Sequence, residues 1–523
     1  MAGDANQSPV FEDIDLYATD LPMREASARN GASDADLATL GPAMGAASRF
    51  DSGRLANEYP PRLAIVDAKG NRIDRVAFHP AWHDLMAGGI AAGLQGSSWE
   101  AGAGPAAQTR RAARLYMAAQ AESGHICPLT MTHASAAALE AEPRLLAAWL
   151  PKIAARVYDP AARPWQEKQG VTIGMGMTER QGGTDVRANT TRAVPAGEHY
   201  IVDGEKWFMS APMCDAFLVL AQAPGGLTCF LMPRFRPDGS LNGLRLRRLK
   251  DKLGNRSNAS SEVEFHSCFA ERVGPEGAGI RTIINMVQLT RLDCAVASAG
   301  LMRLGLASAL LHCRHRSVFG APLIRQPAMR AVLADMALEM EGVTALVFRL
   351  ARAFDRKKAD AGEAAYARLL TPAVKYRVCK AAPDFLAEAM ECLGGNGYVE
   401  EQPLARAYRE APVNAIWEGS GNVMALDVLR AFQRDPDASA SVVAQLAQAA
   451  DEPPPDLTAL LPDERNARRL AGTIADLAII AELRKADPAF AAAWKRTGAH
   501  SARGESNLSA VEDRLIGRAW PGL

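Results

Sequence analysis

The sequence predicts an α+β protein in which a β domain lies between two helical regions of the chain. Segments with helical apolar spacing precede residue 165, short runs of strand-forming residues fill residues 171–275, and long helical patterns return after Gly279. The chain has 523 residues, which is enough for roughly two to four domains with cores of their own. We therefore predict helical, β and helical domains in that order, followed by a helical extension.

The N-terminal helical domain is predicted to span residues 1–170. Helical apolar spacing marks residues 111–122 and 135–155. The acidic leader lacks the features of a signal peptide, and no apolar run reaches the roughly 18 residues that suggest a membrane span. Eight scattered cysteines are typical of core thiols in a reducing compartment. These features predict a cytoplasmic protein without membrane attachment.

The β domain is predicted to span residues 171–275. Residues 199–208 are strand formers on both sides of Asp203-Gly204, a dipeptide that is typical of a turn. Further short strands are predicted at residues 216–221, 228–232, 244–249 and 261–265.

A helical bundle is predicted over residues 276–433. Two helices should cover residues 281–317 and 327–355. A third should begin at Thr371-Pro372, as a capping residue followed by proline, and end at Gly394-Gly395.

Residues 434–523 form the predicted C-terminal extension, which is helical around residues 465–485 after a proline-rich break at 451–456. The whole chain carries 59 basic and 59 acidic residues, so no global basic field exists for nucleic acid or membranes. The extension itself has eleven Lys and Arg against thirteen Asp and Glu. A local cluster is either a solvated face or a DNA-binding face; it comprises Arg465, Arg468, Arg469, Arg484 and Lys485. We favour an oligomerisation or capping role for the extension.

Three segments have a glycine or cation pattern that suits a ligand or a plain structural role. Residues 174–186 offer small residues and backbone N–H groups, but Glu179 occupies the third glycine's place in a dinucleotide fingerprint, so a turn is the alternative. The run at residues 394–397 either stops a helix or meets a phosphate. Arg316 ends a predicted helix, where a cation is favourable with or without a phosphate.

Glu418 is the candidate general base. It lies between Trp417 and a Gly-Ser-Gly turn, just before a predicted helix at residues 423–432. Partial desolvation there would raise the pKa of its carboxyl group toward the range of a general base. The alternative is an acidic residue in a first helical turn, favoured by the helix dipole.

Taken in order, these segments resemble the acyl-CoA dehydrogenase flavoprotein family over about residues 171–430. The family's motifs match at residues 177–179, 183–185, 206–208, 316, 319–320, 326, 394–398 and 417–420. The AidB-like (adaptive-response) subfamily is the most similar, in residues 78–83, 174–191, 249–259 and 412–422. The resemblance implies a central β-barrel between the helical domains.

The resemblance also implies FAD bound at a subunit interface of a homotetramer, and no metal. The implied FAD-binding residues are Met177, Thr178, Gly183, Thr184, Phe208, Ser210, Arg316, Phe319, Gln326, Gly394, Gly395, Gly397, Trp417, Ser420 and Asn422. Typical members carry Gln where this chain has Glu391, which removes one expected contact.

The implied reaction is the α,β-dehydrogenation of an acyl-CoA thioester. Glu418 matches the family's catalytic base, which takes the α-proton while the β-hydride passes to flavin N5. Some members carry the base before an arginine that matches Arg291, but Thr290 stands there and cannot serve. Arg291 and Asp293 are candidate substrate-binding residues, and Asp293 is alternatively a structural salt-bridge partner. An electron-transfer flavoprotein is the expected type of electron acceptor.

Two other functions remain open at this stage. One is an AidB-like, DNA-binding flavoprotein of the alkylation-damage response with weak dehydrogenase activity, since the C-terminal domain of that subfamily binds DNA. The neutral-to-acidic extension argues against it. The other is a flavin-free structural relative, which the intact flavin motifs and Glu418 argue against.

Overall fold

The computed structural model describes residues 6–32, 35–497 and 503–522. The chain divides into two compact units. The helical unit comprises Met1–Phe50, Gly104–Ala121 and Arg291–Leu523. The barrel unit comprises Asp51–Ala103 and Glu122–Thr290.

Seventeen α-helices lie in the described part of the chain. They are α1 Leu21–Arg29, α2 Ala35–Met44, α3 Ala47–Glu58, α4 Pro80–Ala91, α5 Ala107–Ala121, α6 Ile126–Leu139, α7 Pro143–Ile153, α8 Gly279–His315, α9 Pro327–Arg356, α10 Ala361–Cys392, α11 Gly395–Tyr398, α12 Pro403–Asn414, α13 Gly421–Arg434, α14 Pro436–Ala450, α15 Ala467–Ala486, α16 Pro488–Thr497 and α17 Glu512–Ala519. By length and composition α8 is apolar enough to cross a membrane, but its most apolar window is entirely buried inside the protein.

Two short hairpins accompany a seven-stranded sheet. The strands are β1 Arg62–Val66, β2 Arg72–Ala77, β3 Ile173–Thr178, β4 Arg192–Ala196, β5 His199–Ser210, β6 Ala216–Ala223, β7 Gly226–Pro233, β8 Leu244–Leu249, β9 Ser261–Val273, β10 Ser317–Val318 and β11 Ala321–Pro322. In the sheet, β3 pairs with β5, β5 with β9, β9 with β7, β7 with β6, and β6 again with β3. These five strands therefore close into a barrel, and β4 and β8 lie beside it.

The turn predicted at Asp203-Gly204 is wrong, because β5 continues through both residues. Its register against β9 shifts between Val202 and Gly204, and Gly204 has a φ of 151°. A Cβ atom at Gly204 would lie 2.5 Å from Thr191 Oγ1. The glycine therefore permits a bulge where two strands approach closely, and the chain does not reverse there.

The helix start predicted at Thr371-Pro372 is also wrong. α10 begins ten residues earlier, where the Asp360 side chain accepts hydrogen bonds from the backbone N–H groups of Gly362 and Glu363. Thr371 Oγ1 instead donates to Ala367 O at 2.6 Å inside the helix. Thr371 and Pro372 are buried, so tertiary packing outweighs the local preference of a Thr-Pro pair for a helix start.

The N-terminal region differs from its prediction at two points. The helix expected over residues 135–155 is two helices, because Pro143 begins α7 after a short break. The β1–β2 hairpin was not predicted; both of its strands are mostly solvent-accessible, so they carry little apolar patterning.

The C-terminal extension packs on the bundle within the helical unit. α15 lies against α9, α10, α13 and α14, and buries apolar residues such as Leu470, Ile474 and Ile479. Buried Arg377 of α10 bonds to Asp476 of α15 at 3.2 Å and to Glu339 of α9 at 3.1 Å. The extension therefore caps the bundle.

The two ends of the described chain meet in the helical unit. Arg518 of α17 bonds to Glu25 of α1 at 2.7 Å and to Glu341 of α9 at 2.6 Å. Arg303, in the middle of α8, donates to the carbonyl oxygens of Thr19 and Ala519. α8 and α9 thus hold the first and last helices side by side.

Candidate active site

Glu418 lies in a sharply turning loop between α12 and α13. Its φ is 59°, in the left-handed region that L residues avoid at a cost of about 1–2 kcal/mol, and Gly419 follows with a φ of 107°. That φ favours glycine, and a Cβ atom at Gly419 would also lie 2.5 Å from Met424 Cε, the flexible end of that side chain. Strain of this kind at a half-buried carboxylate indicates that the position of the side chain is functionally constrained.

Two buried cations of the helical unit bind the main chain of this loop. Arg291 Nε donates to Glu418 O at 3.0 Å, and its Nη1 pairs with Asp427 at 2.8 Å. Lys375 Nζ donates to Asn414 O at 2.9 Å and to Gly419 O at 2.8 Å. No neighbouring residue in the sequence distinguishes Lys375 from any other lysine of a long helix, so its contact with this loop could not be predicted.

The structure supports the structural alternative for Asp293. Both of its carboxylate oxygens accept from Arg111, each at 2.7 Å, and both side chains are buried. Two buried charges are stable only when they are paired with good geometry, and this pair is bidentate. The pair occupies both carboxylate oxygens of Asp293, and a substrate contact of this residue stays a prediction. Arg291, the other predicted substrate residue, directs its guanidinium at Glu418 O and Asp427.

The three predicted cofactor residues beside Glu418 have different surroundings. Trp417 Nε1 donates to Asn414 Oδ1 at 3.0 Å, which ties the indole to its own loop. Ser420 is exposed and immediately precedes α13. Asn422 Oδ1 accepts from Arg468 Nε at 2.7 Å, so its amide oxygen binds the C-terminal extension.

Arg316, Gly394 and Gly395 line one cavity of about 320 Å³ in the helical unit. A Cβ atom at either glycine would meet nothing within 4 Å, so both face open space. Gly394 has φ 60° and ψ −141°, a conformation that is largely restricted to glycine. Gly397 differs, since a Cβ there would lie 2.3 Å from Met390 O of α10.

An N-terminal segment, residues 6–8, borders this cavity. Arg316 Nη1 donates to Asn6 O, and Asn396 Nδ2 donates to Gln7 Oε1, both at 2.8 Å. Ser8 Oγ bonds to His312 Nδ1 at 2.9 Å. The segment therefore occupies hydrogen-bonding groups at the cavity's edge.

The remaining predicted cofactor residues of the helical unit lie in the β10–β11 hairpin, which carries Phe319, and directly before α9, where Gln326 stands. The Phe319 ring is 98% exposed, and the residue has a φ of 50°. Gln326 Nε2 donates to Val318 O at 3.1 Å, which holds the residue against the hairpin.

In the barrel unit, strand pairing brings predicted FAD-binding residues together. The pairing of β3 with β5 places Thr178 opposite Phe208, and Met175 opposite Ser210. A Cβ atom at Gly183 would lie 2.4 Å from Thr178 Oγ1, so the glycine approaches the end of β3 closely. Thr184 follows and is exposed. The Phe208 side chain, although apolar, is 51% exposed.

A buried ion pair holds the ends of these strands. Lys206 of β5 bonds to Glu179 at 2.8 Å, and Glu179 also accepts from the backbone N–H groups of Thr190 and Thr191. Burial alone would raise the pKa of Glu179, but the Lys206 charge and these hydrogen bonds lower it to about 2. In the sequence, Glu179 stands at a glycine position of the dinucleotide fingerprint and within the matched motif at residues 177–179, but its pairing with Lys206 is not visible there.

The residues of each unit fit a part of FAD. The cavity in the helical unit combines a guanidinium, two amides, an imidazole and the carboxylate of Glu391 with open backbone at two glycines, a polar lining that suits a nucleotide. The barrel unit offers an exposed aromatic ring, hydroxyl groups of Thr178 and Ser210, and a strand edge, which suit a flat polar ring system.

Comparison with known proteins shows the family of the chain. Residues 6–160 match the family profile of the adaptive response protein AidB N-terminal domain. Residues 174–268 and 277–433 match the middle and C-terminal domains of acyl-CoA dehydrogenase. The chain is 51% identical to AidB of Escherichia coli (strain K12) over 434 residues, which cover 82% of this chain and 80% of that protein. The chain belongs to the acyl-CoA dehydrogenase family.

Two further similar proteins, one found by sequence and one by structure, come from Caenorhabditis elegans. Acyl-CoA dehydrogenase family member 11 of that organism is 34% identical over 396 residues, 73% of this chain and 64% of the relative. The crystal structure of C. elegans ACDH-11 in complex with C11-CoA has a TM-score of 0.86 and 28% identity, covering 100% of this chain and 93% of that chain. The predicted acyl-CoA dehydrogenase fold, the AidB-like subfamily and the FAD cofactor are confirmed. The domain boundaries at residues 170, 275 and 433 stay predictions.

Proposed function

We propose that this acyl-CoA dehydrogenase family member oxidises an acyl-CoA thioester to the trans-2-enoyl thioester, with Glu418 as the catalytic base. The observation that supports it most directly is the strained backbone of Glu418, whose carbonyl oxygen accepts from the buried Arg291. The family's alternative position for the base is Thr290, which has no basic group.

The chain's own residues supply proton transfer and alignment. FAD, when bound, supplies the acceptor for the β-hydride. The Glu418 carboxylate takes the α-proton, so the substrate loses one proton and one hydride and gains a carbon–carbon double bond. Half-burial of Glu418 limits its hydration and favours proton uptake from a carbon acid. The thioester's acyl chain is left open; the C. elegans relative was crystallised with C11-CoA, which makes a medium-length ester a suitable first probe.

We also propose that the predicted residues bind FAD and that a second copy of the chain completes the site. Phe319 is 98% exposed and Tyr398, beside the Gly394 turn, is 80% exposed. Two large exposed rings close to the cavity of Arg316 favour coverage by another subunit. From the resemblance to the family we further propose a cytoplasmic homotetramer with an electron-transfer flavoprotein as the acceptor. Free cysteines, seven of them buried, agree with a reducing compartment.

The deciding experiment is anaerobic spectroscopy of the purified protein with a panel of acyl-CoA esters. We expect the flavin absorbance to bleach with at least one ester and enoyl-CoA to appear in equal amount. Glu418→Gln should retain FAD and form no enoyl product. Glu400→Gln is the matched control, because Glu400 pairs with Arg409 at the surface. Unchanged turnover in Glu418→Gln would disprove the assignment of the base.

The second candidate is DNA association through the C-terminal extension, suggested by the subfamily resemblance and the 51% identity to AidB. The local charges weaken it: Arg465 pairs with Asp463, Arg484 with Asp451, and Lys485 with Glu482. A phosphate backbone would have to compete with these carboxylates. Binding to a labelled duplex, titrated with salt, tests this candidate: a steep fall of affinity with salt would support it, and a slope near zero would exclude it.

A further inference from the structure

We propose that Lys375 is a positioning residue for proton transfer, because its ammonium group ties together the two ends of the loop that carries Glu418. This loop comprises residues 414–419 and joins α12 to α13. The inference rests on the proposed function, since it concerns the base of that reaction.

Within the described residues, Lys375 is buried with no carboxylate as its partner. Its residue is 1% exposed, and it lies within the α10 helix. Both of its hydrogen bonds go to main-chain carbonyls, Asn414 O and Gly419 O, rather than to a carboxylate. Burying an ammonium group is costly, and a methionine of similar length would fill the space without that cost. What the lysine adds is the connection between the two carbonyls.

The two acceptors bracket the candidate base. Asn414 is the last residue of α12, and Gly419 directly follows Glu418. Between them, Trp417 donates its indole N–H to the side chain of the same Asn414. One ammonium group therefore closes the loop at both ends and also fixes the residue that orients Trp417.

The backbone of Glu418 requires such a closure. A non-glycine residue at φ 59° relaxes toward ordinary φ values unless its surroundings hold it. Lys375 fixes the carbonyl of the next residue, so it opposes that relaxation directly.

The test compares Lys375→Met and Lys375→Arg with the wild-type FAD-loaded protein. We expect FAD content and the dissociation constant for the acyl-CoA ester to stay within about 3-fold. The rate constant of flavin bleaching should fall by about 10- to 100-fold in Lys375→Met, because a displacement of about 1 Å at a reacting group has effects of that size. Lys375→Arg, which still donates to two carbonyls, should recover much of the rate.

A matched control separates positioning from general loss of a lysine. Lys152 also donates to two main-chain carbonyls, those of Gln166 and Lys168, in the barrel unit. Lys152→Met should therefore bleach at the wild-type rate. A second readout needs no turnover: hydrogen exchange of the backbone amides of residues 415–421 should accelerate in Lys375→Met and not in Lys152→Met.

The outcomes distinguish this proposal from the function on which it rests. Wild-type bleaching rates in a folded, FAD-loaded Lys375→Met would overturn the positioning role and leave the dehydrogenase function intact. If no ester bleaches the wild-type flavin, the dehydrogenase function is disproved. Unchanged amide exchange in Lys375→Met would then also disprove the proposal that Lys375 holds the Glu418 loop. Should Lys375→Met fail to fold, Lys375→Gln, whose amide is too short to reach both carbonyls, carries the same expectations.

Discussion

Two loops of the helical unit carry predicted site residues, and the chain holds them by different means. The Glu418 loop has its carbonyl groups bound by Arg291 and Lys375, both of which are buried. The Gly394 turn lies at an open cavity, where a Cβ atom added to Gly394 or Gly395 would meet no atom within 4 Å. The hydrogen bond from this turn to the N-terminal segment is at the surface. One loop is fixed by desolvated charge, and the other is left accessible.

The difference agrees with what each loop is proposed to do. A base must be held within about 0.5 Å of its productive position relative to the bond it breaks, which requires surroundings that fix its backbone. A turn that receives a large cofactor needs open space and main-chain N–H groups that can be reached. The predictions below test whether buried charge is the cause of this difference.

The largest effect is expected at the buried ion pair between Arg111 of α5 and Asp293 of α8. Arg111→Met should lower the free energy of unfolding by about 3–5 kcal/mol, because it removes the guanidinium that pairs with the buried Asp293 carboxylate. Urea denaturation at neutral pH measures this. Arg54→Met, which removes an exposed pair with Asp51, should cost less than about 1 kcal/mol. Equal losses in the two variants would show that burial of the pair is not what fixes this region.

The barrel unit provides a comparable case through acid titration. The folded pKa of Glu179, about 2, lies below its ordinary value of 4.5. Its contribution to stability is therefore complete above pH 4.5 and is lost as the pH falls toward 2, by up to about 3 kcal/mol. Urea midpoints measured across this range should fall less steeply in the double variant Glu179→Gln/Lys206→Met. Parallel curves for the two proteins would contradict the role of the pair.

At the open turn we expect a smaller effect, caused by the backbone alone. Gly394→Ala meets no neighbouring atom, but its conformation costs an L residue about 1–3 kcal/mol. The variant must return to that conformation to bind FAD, and this free-energy cost should weaken the affinity of the apoprotein for FAD by roughly 5- to 100-fold. FAD titration by fluorescence quenching measures it. Gly395→Ala has equal space and no positive φ, so it should bind FAD normally; a loss there would indicate contact rather than strain.

The smallest effect is expected at the N-terminal segment. Asn396→Ala removes the hydrogen bond to Gln7, an exposed contact worth about 0.5–1.5 kcal/mol at most. The dissociation rate of FAD should change by less than about 10-fold, and the melting temperature should stay near that of wild type. A large change in the melting temperature or in the FAD dissociation rate would mean that the Gly394 turn is also tightly held.

The sequence predicted those features that depend on local pattern. The strand at residues 244–249 and the start of α9 at Pro327 follow from alternation and from proline at a helix start, and both are found. Glu418 was selected from its neighbours in the chain. Lys375 could not be, because its two acceptors lie 39 and 44 residues further on and only packing brings them together. Asp293 shows the same limit: Arg111, its partner, precedes it by 182 residues.

The meeting of the two chain ends has a consequence for biosynthesis. Arg518 contacts Glu25 across 493 positions of sequence, and Arg303 needs both Thr19 and Ala519. As the ribosome releases the chain from its N-terminus, α1 emerges hundreds of residues before the helix that completes its surroundings. Its polar contacts must wait, hydrated or sheltered by a chaperone, until α17 has been synthesised. A ribosome that stops shortly before α17 would release a chain whose first helix lacks its final partner, and such a product should be a preferred target of quality-control proteases.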